Sequence, residues 1–316
     1  MHIAYGLTAA MVLLSGTVAA FAQPAPVRSV ALTFDDLPYV GGIGDADGQL
    51  SRANVLALNR RILDGLREAG APATGFVVER SVEAMGEDGR LLLVLWTEGD
   101  FDLGNHGYSH AEVNGLDLVG IEQEVLRGEA SAREAMTAAG KSLQFMRFPQ
   151  NHTGETAEKR NGIRAILDRF GYQAAASTID TSDYVFETAY QVALRRGRTD
   201  CQALIRDAYV AYSAVQIDYY TALSVEVLGY APPEVALLHL NQLNADTLPR
   251  LLELYRDRGF AFTSLAQAQA DPAYLRGSNF VSRYGPMWAY RWAREYAVRV
   301  DGSKETEPPA WVSTYA

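Results

Sequence analysis

Val30-Ala31-Leu32-Thr33-Phe34-Asp35-Asp36-Leu37-Pro38 places two adjacent carboxylates at the end of an apolar, β-prone run. Neighbouring side chains of a strand point to opposite faces, but at a strand end both can turn towards one pocket. One carboxylate can then bind a metal ion while the other stays free to move a proton. Further along, His106-Gly107-Tyr108-Ser109-His110 offers two imidazoles four residues apart. Two histidines and one aspartate make a three-ligand set with room for a water, which is the composition of a hydrolytic zinc site. Each piece alone has a plainer reading. An Asp pair after a strand is usually a turn or a helix cap, and His-x-x-x-His is usually structural or exposed. The chain has only five histidines, however, and further polar signatures follow these two in order.

From the first run outward, β-prone segments alternate with helical periodicity. Strands are expected at 30–34, 74–78, 101–103, 143–147, 172–177, 235–240 and 260–263. Helices are expected at 54–69, 90–96, 116–139, 155–170 and 245–258, the first and fourth ended by Gly70 and Gly171. This alternation predicts a parallel α/β architecture, and seven strands predict a distorted (β/α) barrel rather than a small open sheet. A helical stretch at 184–228, rich in Tyr and Ala, interrupts the alternation between the fifth and sixth strands. It reads as an insertion that either narrows the barrel mouth or packs outside it. The tail carries Trp288, Trp292 and Trp311. The first two share a helical face, which suits packing on the barrel or stacking on a sugar. The expected organisation is a leader at 1–22, a spacer at 23–28, the barrel at 29–278 and an aromatic tail at 279–316.

In a parallel barrel the functional groups gather at the C-terminal strand ends. Asp35 and Asp36 follow the first strand and His106 follows the third. Arg147 closes the fourth, Asp180 and Asp183 follow the fifth, and His239 closes the sixth. Arg147 alone would pass for a surface ion-pair partner and His239 for a core histidine. Together, in this order on one rim, they argue for a site.

At this point the chain resembles the polysaccharide deacetylases with a NodB-like domain, carbohydrate esterase family 4, over roughly residues 30–265. Thr33-Phe34-Asp35-Asp36 matches the family's T-F-D-D-G, with Leu37 in place of glycine. His106 and His110 match H-[ST]-x-x-H, with Gly107 in place of the hydroxyl residue. Arg147-Phe148-Pro149 matches R-x-P-[YF] and departs at Gln150. Asp180-Thr181-Ser182-Asp183 matches D-x-x-D-W, with Tyr184 in place of tryptophan, and Leu237-Leu238-His239 matches L-x-H. The resemblance implies that Asp36, His106 and His110 hold a divalent metal, zinc or cobalt. It implies that Asp35 is the general base, paired with Arg147. His239 would be the general acid, oriented by Asp183. The activity implied is metal-dependent hydrolysis of acetyl groups on a carbohydrate, with N-acetyl groups of chitin-like or peptidoglycan sugars foremost. The bond cleaved would be a non-peptide carbon–nitrogen bond.

The bulk properties bound the alternatives. Residues 7–20 are apolar and end at Ala20-Phe21-Ala22, the pattern of a cleaved export signal, so a periplasmic or extracellular location is expected. No other stretch reaches the roughly 18 apolar residues that span a bilayer, so no membrane span is expected in the mature chain. The net charge of −10, from 28 basic and 38 acidic side chains, disfavours a nucleic-acid partner. The single cysteine, Cys201, excludes an intrachain disulfide and reads as a small buried hydrophobe. Three other functions compete: an O-acetyl (xylan-type) esterase, a non-catalytic carbohydrate-binding or scaffold protein on the same barrel, and a glycosidase using Asp35 and Asp183 as its carboxylate pair. The last would leave both histidines idle.

Overall fold

The computed structural model describes residues 28–44, 46, 48–275 and 278–315. The expected leader, and the spacer up to residue 27, lie outside the described residues. None of the described helices is long and apolar enough to cross a membrane.

The strands are β1 (Arg28–Leu37), β2 (Ala73–Val77), β3 (Phe101–Asn105), β4 (Phe145–Met146), β5 (Gln173–Ala174), β6 (Ile179–Asp180), β7 (Glu234–His239) and β8 (Phe260–Thr263). Their order is β5-β4-β3-β2-β1-β7-β6, every pairing is parallel, and β8 joins the first residues of β1. β1 is the central strand. Val30, Ala31, Leu32, Thr33 and Phe34 are all essentially buried, because a parallel strand is covered on both faces.

The sheet curls into the expected distorted barrel, but the fifth strand expected at 172–177 is divided. Residues 173–174 pair with β4, and residues 179–180 pair with β7. One chain segment thus supplies both edges of the sheet and bridges the gap between them. Between the two halves, backbone groups that a continuous strand would satisfy find other partners. Arg147 Nη2 donates to the Ala176 carbonyl at 2.6 Å and the Ala176 N–H donates to Gln269 Oε1 at 2.6 Å. The Trp288 N–H donates to the Ser177 carbonyl at 2.8 Å.

Around the sheet lie α1 (Arg52–Ala69), α2 (Glu79–Met85), α3 (Glu87–Leu95), α4 (Leu118–Gly128), α5 (Ala130–Ala138) and α6 (Ala157–Phe170). The chain continues through α7 (Asp183–Arg195), α8 (Thr199–Leu228), α9 (Gln242–Asp257), α10 (Leu265–Ala268), α11 (Pro272–Leu275), α12 (Trp288–Glu295) and α13 (Ala310–Tyr315). The long helix expected at 116–139 is broken between α4 and α5. The break lies over the loop that carries the two histidines: a Cβ on Gly128 would collide with the backbone of Gly107, so only glycine lets the two segments approach this closely.

The helical insertion is α7 and α8. They share a separate apolar cluster, including Phe186, Tyr190, Ile205 and Tyr209, with Leu243 and Leu251 of α9 and Val312 of α13. α7 and the first half of α8 therefore pack against outer helices, Ile217, Tyr220, Leu223 and Val227 of α8 join the main core, and the first turn of α7, with Asp183 and Tyr184, meets the barrel mouth. Cys201 is half-buried against this cluster rather than fully buried. Trp288 and Trp292 are 8% and 2% exposed, which removes them as stacking surfaces. Trp292 stands edge-on to Tyr274 of α11 with ring centres 5.2 Å apart, and Arg291 lies over the Trp288 ring while bonding to the Asn151 carbonyl in the loop after β4.

Candidate active site

The site begins with a defect in β1. Its pairing with β2 shifts register between Phe34 and Leu37, and Asp36 adopts φ +64°. In a regular strand Asp35 and Asp36 would point apart. The left-handed residue in the shifted segment turns both carboxylates towards the barrel mouth. Leu37, which stands where the family pattern has glycine, remains in the strand with ordinary φ. His110 is also left-handed, at φ +59°.

Asp36, His106 and His110 converge. Asp36 Oδ1 lies 3.4 Å from His106 Nε2 and 3.1 Å from His110 Nε2, and one ligand atom from each residue lies within 4.8 Å of the others. The donor chemistry fits a cation. His106 Nδ1 lies 2.7 Å from the Arg147 carbonyl oxygen, which can only accept, so Nδ1 carries the hydrogen and the neutral ring's lone pair is on Nε2. That lone pair faces the buried Asp36 Oδ1, which has no hydrogen-bond partner among the described residues. Two acceptors face one another, an arrangement satisfied by a metal ion or by protonation of the ring. In the bare protein the histidines do hold Asp36 well below the usual carboxylate range, outweighing its burial.

Asp35 stands beside the triad, 3.8 Å from His106 Nε2. Its Oδ1 accepts a 2.7 Å bond from Arg147 Nη1, and both side chains are buried. Arg147 also donates to Thr33 Oγ1 at 2.8 Å, and Thr33 donates to the Ala236 carbonyl at 2.6 Å. The guanidinium lies 4.4 Å from the Phe76 ring centre. This cradle fixes Asp35 from three strands at once.

His239 closes β7, its residue paired with Asp35 in the β1–β7 register. Its Nδ1 donates to Asp183 Oδ1 at 2.7 Å and its N–H donates to Asp183 Oδ2 at 2.7 Å. Asn241 donates to the same Oδ2 at 3.2 Å, as does Asn244. Burial works against a charged His239, but the Asp183 carboxylate outweighs it and pushes the imidazole up to about 10. Asp183 is held below its ordinary range: burial opposes this, and the His239 charge and the converging donors prevail. Asp180 accepts a 2.7 Å bond from the Ser182 N–H, shaping the turn that presents Asp183. Burial, together with the Asp183 charge, pushes Asp180 up to about 6 despite that bond.

Asp35, Asp36, His106, His110, Arg147, Asp183 and His239 therefore lie together at one mouth. Asn241, Asn244 and Tyr209, which hold the Asp183–His239 pair through a 2.7 Å bond from Tyr209 to Asn244, were not anticipated. Their signal was the Asn241 cap of α9, directly after the L-x-H run.

The polysaccharide deacetylase family profile matches residues 22–175. That region, just under half of the chain, resembles the polysaccharide deacetylases. Two relatives are chitin deacetylases. The one from Pestalotiopsis sp is 27% identical over 157 residues, 50% of this chain and 44% of that protein. The one from Arthroderma benhamiae is 28% identical over 160 residues, 51% and 36%. The matched region thus spans less than half the length of these relatives. Among solved structures, a polysaccharide deacetylase from Bacillus cereus aligns at 19% identity over 75% of this chain and 91% of its own, with a TM-score of 0.50. A variant of a carbohydrate esterase family 4 pseudoenzyme, with restored activity, aligns at 16% identity over 77% and 68%, with a TM-score of 0.51. These likenesses place the barrel among the family 4 folds.

Against the family pattern, this chain keeps a hydroxyl in its histidine loop but at Ser109 instead of position 107. Ser109 N–H and Oγ both donate to Glu124, each at 2.8 Å, which ties the loop to α4. Tyr184 replaces the family's tryptophan, is 53% exposed and stands edge-on to His239 with ring centres 6.1 Å apart. Gln150 is exposed and left-handed, at φ +59°.

Proposed function

We propose that this protein is an exported, metal-dependent deacetylase of acetylated carbohydrate, acting on N-acetyl groups of chitin-like or peptidoglycan sugars. One observation carries the reading. A carboxylate fixed by arginine (Asp35) and an imidazole held charged by a carboxylate (His239) flank the same three-ligand set. A binding or scaffold protein has no need for an acid and a base placed across one cation site. The family also contains a named pseudoenzyme with this barrel, so the fold alone does not distinguish the two, whereas this chain retains every group the chemistry requires.

Asp36, His106 and His110 would hold the metal, with zinc favoured by the His-His-Asp set and cobalt able to replace it. When bound, a divalent ion lowers the pKa of a water and polarises the acetyl carbonyl. Asp35, beside the triad but engaged by Arg147 on one oxygen, takes the water's proton as oxygen attacks the acetyl carbon. His239 then gives its Nε2 proton to the leaving nitrogen as the carbon–nitrogen bond breaks, releasing acetate and an amine. Asp183 does not transfer the proton: four donors saturate it, and its charge keeps His239 protonated until the leaving group needs it.

The chitin deacetylases among the relatives support an N-acetyl substrate, and the leader-like sequence supports export. An O-acetyl ester would be cleaved by the same groups, with less need for the acid. Acetate release from N-acetyl and O-acetyl oligosaccharides, with and without chelator, tests the proposal. Chelator-sensitive release from N-acetyl sugars, restored by zinc or cobalt, is expected. Chelator-resistant release, or release from O-acetyl sugars alone, would overturn it.

A further inference from the structure

The long helix of the insertion, α8, reaches the Asp183–His239 pair through Tyr209. This residue is fully buried, and its ring packs on Phe186 of α7 with ring centres 5.4 Å apart. Its hydroxyl hydrogen goes to Asn244 Oδ1 at 2.7 Å. A phenol carries a single hydrogen, so the 3.0 Å contact with Thr181 Oγ1 runs the other way, with the threonine donating to the Tyr209 oxygen. Thr181 lies in the turn between Asp180 and Asp183, where Ser182 is left-handed at φ +50°. Tyr209 thus ties that turn to the first turn of α9. Burial, with the Asp183 charge nearby, pushes the phenol well above its ordinary range, so it stays a donor.

Asn244 is the residue that this hydroxyl controls. Both of its amide hydrogens are used: Nδ2 donates to Asp183 Oδ2 and to the His239 carbonyl, the latter at 2.8 Å. One amide therefore grips the carboxylate on α7 and the backbone of the imidazole residue on β7. A half-turn of that amide would set Oδ1 against two acceptors and Nδ2 against a hydroxyl hydrogen. By donating to Oδ1, Tyr209 reinforces the orientation that grips both groups. Without the hydroxyl, this buried oxygen would have no donor among the described residues, and the network around Asp183 would lose its outer support. Placement matters here, because a misplacement of about 1 Å can cost a reacting pair roughly 10²-fold.

We propose that Tyr209 is a positioning residue for proton transfer by His239, acting through Asn244, so that α8 is part of the support of the acid. The assignment rests on the deacetylase reading above and concerns the departure of the leaving nitrogen. Attack by water on the Asp35 side does not pass through this relay, since Asp35 is fixed by Arg147, which is itself bonded to Thr33. The effect of Tyr209 should therefore depend on the leaving group. An amine needs a proton to depart, whereas a nitrophenolate leaves without one.

The test uses the full chain loaded with zinc and compares acetate release from the N-acetylglucosamine tetramer with that from 4-nitrophenyl acetate. Tyr209→Phe keeps the ring on Phe186 and removes only the hydroxyl. It should lower kcat on the tetramer about tenfold with KM within about twofold, and lower the aryl acetate rate by no more than about twofold. Ser213→Ala removes another buried hydrogen bond of the same helix, from Ser213 Oγ to the Tyr209 carbonyl at 2.8 Å, and should change both rates by one factor. If Tyr209→Phe does not fold, Asn244→Ala interrupts the relay one residue nearer the acid and should show the same asymmetry. Proton NMR adds a readout independent of turnover: the Nδ1 hydrogen of His239 should exchange with water about tenfold faster in Tyr209→Phe. Equal losses on the two substrates, no loss on the tetramer, or unchanged exchange would overturn the proposal. Faster exchange in the variant, beside a wild-type protein that releases no acetate from the tetramer, would preserve the hold of Tyr209 on His239 and overturn the deacetylase reading instead.

Discussion

The carbonyl oxygen of Arg147 accepts from Nδ1 of His106 at 2.7 Å, while the Arg147 guanidinium donates to Asp35 Oδ1 at 2.7 Å. One residue thereby sets the tautomer of His106 with its backbone and the position of the neighbouring Asp35 carboxylate with its side chain. The two β4 functions cannot shift independently. Asp35 and His106 therefore share one structural reference.

Arg147→Ala should leave Asp35 buried without a counter-charge. Losing one partner of a buried pair typically costs about 3–5 kcal/mol, because the remaining charge stays desolvated. Urea unfolding at pH 7 should show a midpoint lowered accordingly. Arg147→Lys keeps the charge but not the fork that reaches Asp35, Thr33 and the Ala176 carbonyl together, so it should fall between alanine and wild type. Equal stability of Arg147→Ala and wild type would mean that the pair is solvated in solution.

Asp35→Asn should keep its metal and lose its turnover. The amide fits the same space beside Arg147 but cannot take the proton, which should reduce kcat by roughly 10²–10⁴-fold. Metal content of the purified variant, set beside acetate release, separates this from a binding defect. Near-normal turnover would remove Asp35 from the role of base.

The raised pKa of His239 has a definite sign. In the unfolded chain the imidazole titrates near its ordinary 6.5, and in the folded metal-free protein near 10. The Asp183–His239 pair therefore contributes fully to stability below about pH 6.5, and the contribution fades as pH rises towards about 10. Asp183→Asn removes the charge that holds the proton. The His239 pKa, followed by NMR in metal-free protein, should fall by more than one unit, and the alkaline limb of activity should move to lower pH. An unmoved alkaline limb would show that His239 is not the acid.

Gly285→Ala should loosen the tail from the loop after β4. The added methyl would meet the Gln150 carbonyl and approach Asn151 Cβ at 2.9 Å. Relieving such an overlap typically costs about 1–3 kcal/mol. Thermal unfolding should show the loss. A melting temperature equal to wild type would mean that the tail does not hold this close approach in solution.

Much of the site was legible because its residues sit at strand ends. A parallel barrel presents those ends on one rim, so Asp35, Asp36, His106, Arg147, Asp183 and His239 could be grouped from order and local pattern alone. Helices such as α1 and α6 were legible through periodicity and a terminal glycine. Less was visible where backbone partners come from distant segments. Nothing local showed that the fifth strand would divide, because the division depends on Arg147, Gln269 and Trp288 satisfying the backbone of residues 176–177. The break between α4 and α5 depends likewise on Gly128 meeting Gly107 across the fold.

The sequence by itself therefore determined the barrel, the order of Asp35, Asp36, His106, His110, Arg147, Asp183 and His239 along its rim, and the helical stretch between the fifth and sixth strands, because each rests on short-range periodicity or on residue chemistry. Tertiary structure decided the rest. The register shift that turns Asp36 beside Asp35, the Asn241–Asn244 cage around Asp183, and the burial of Trp288 and Trp292 all arise from contacts between residues far apart in the chain. No local propensity encodes such contacts, since their energies exist only once packing has brought the partners together.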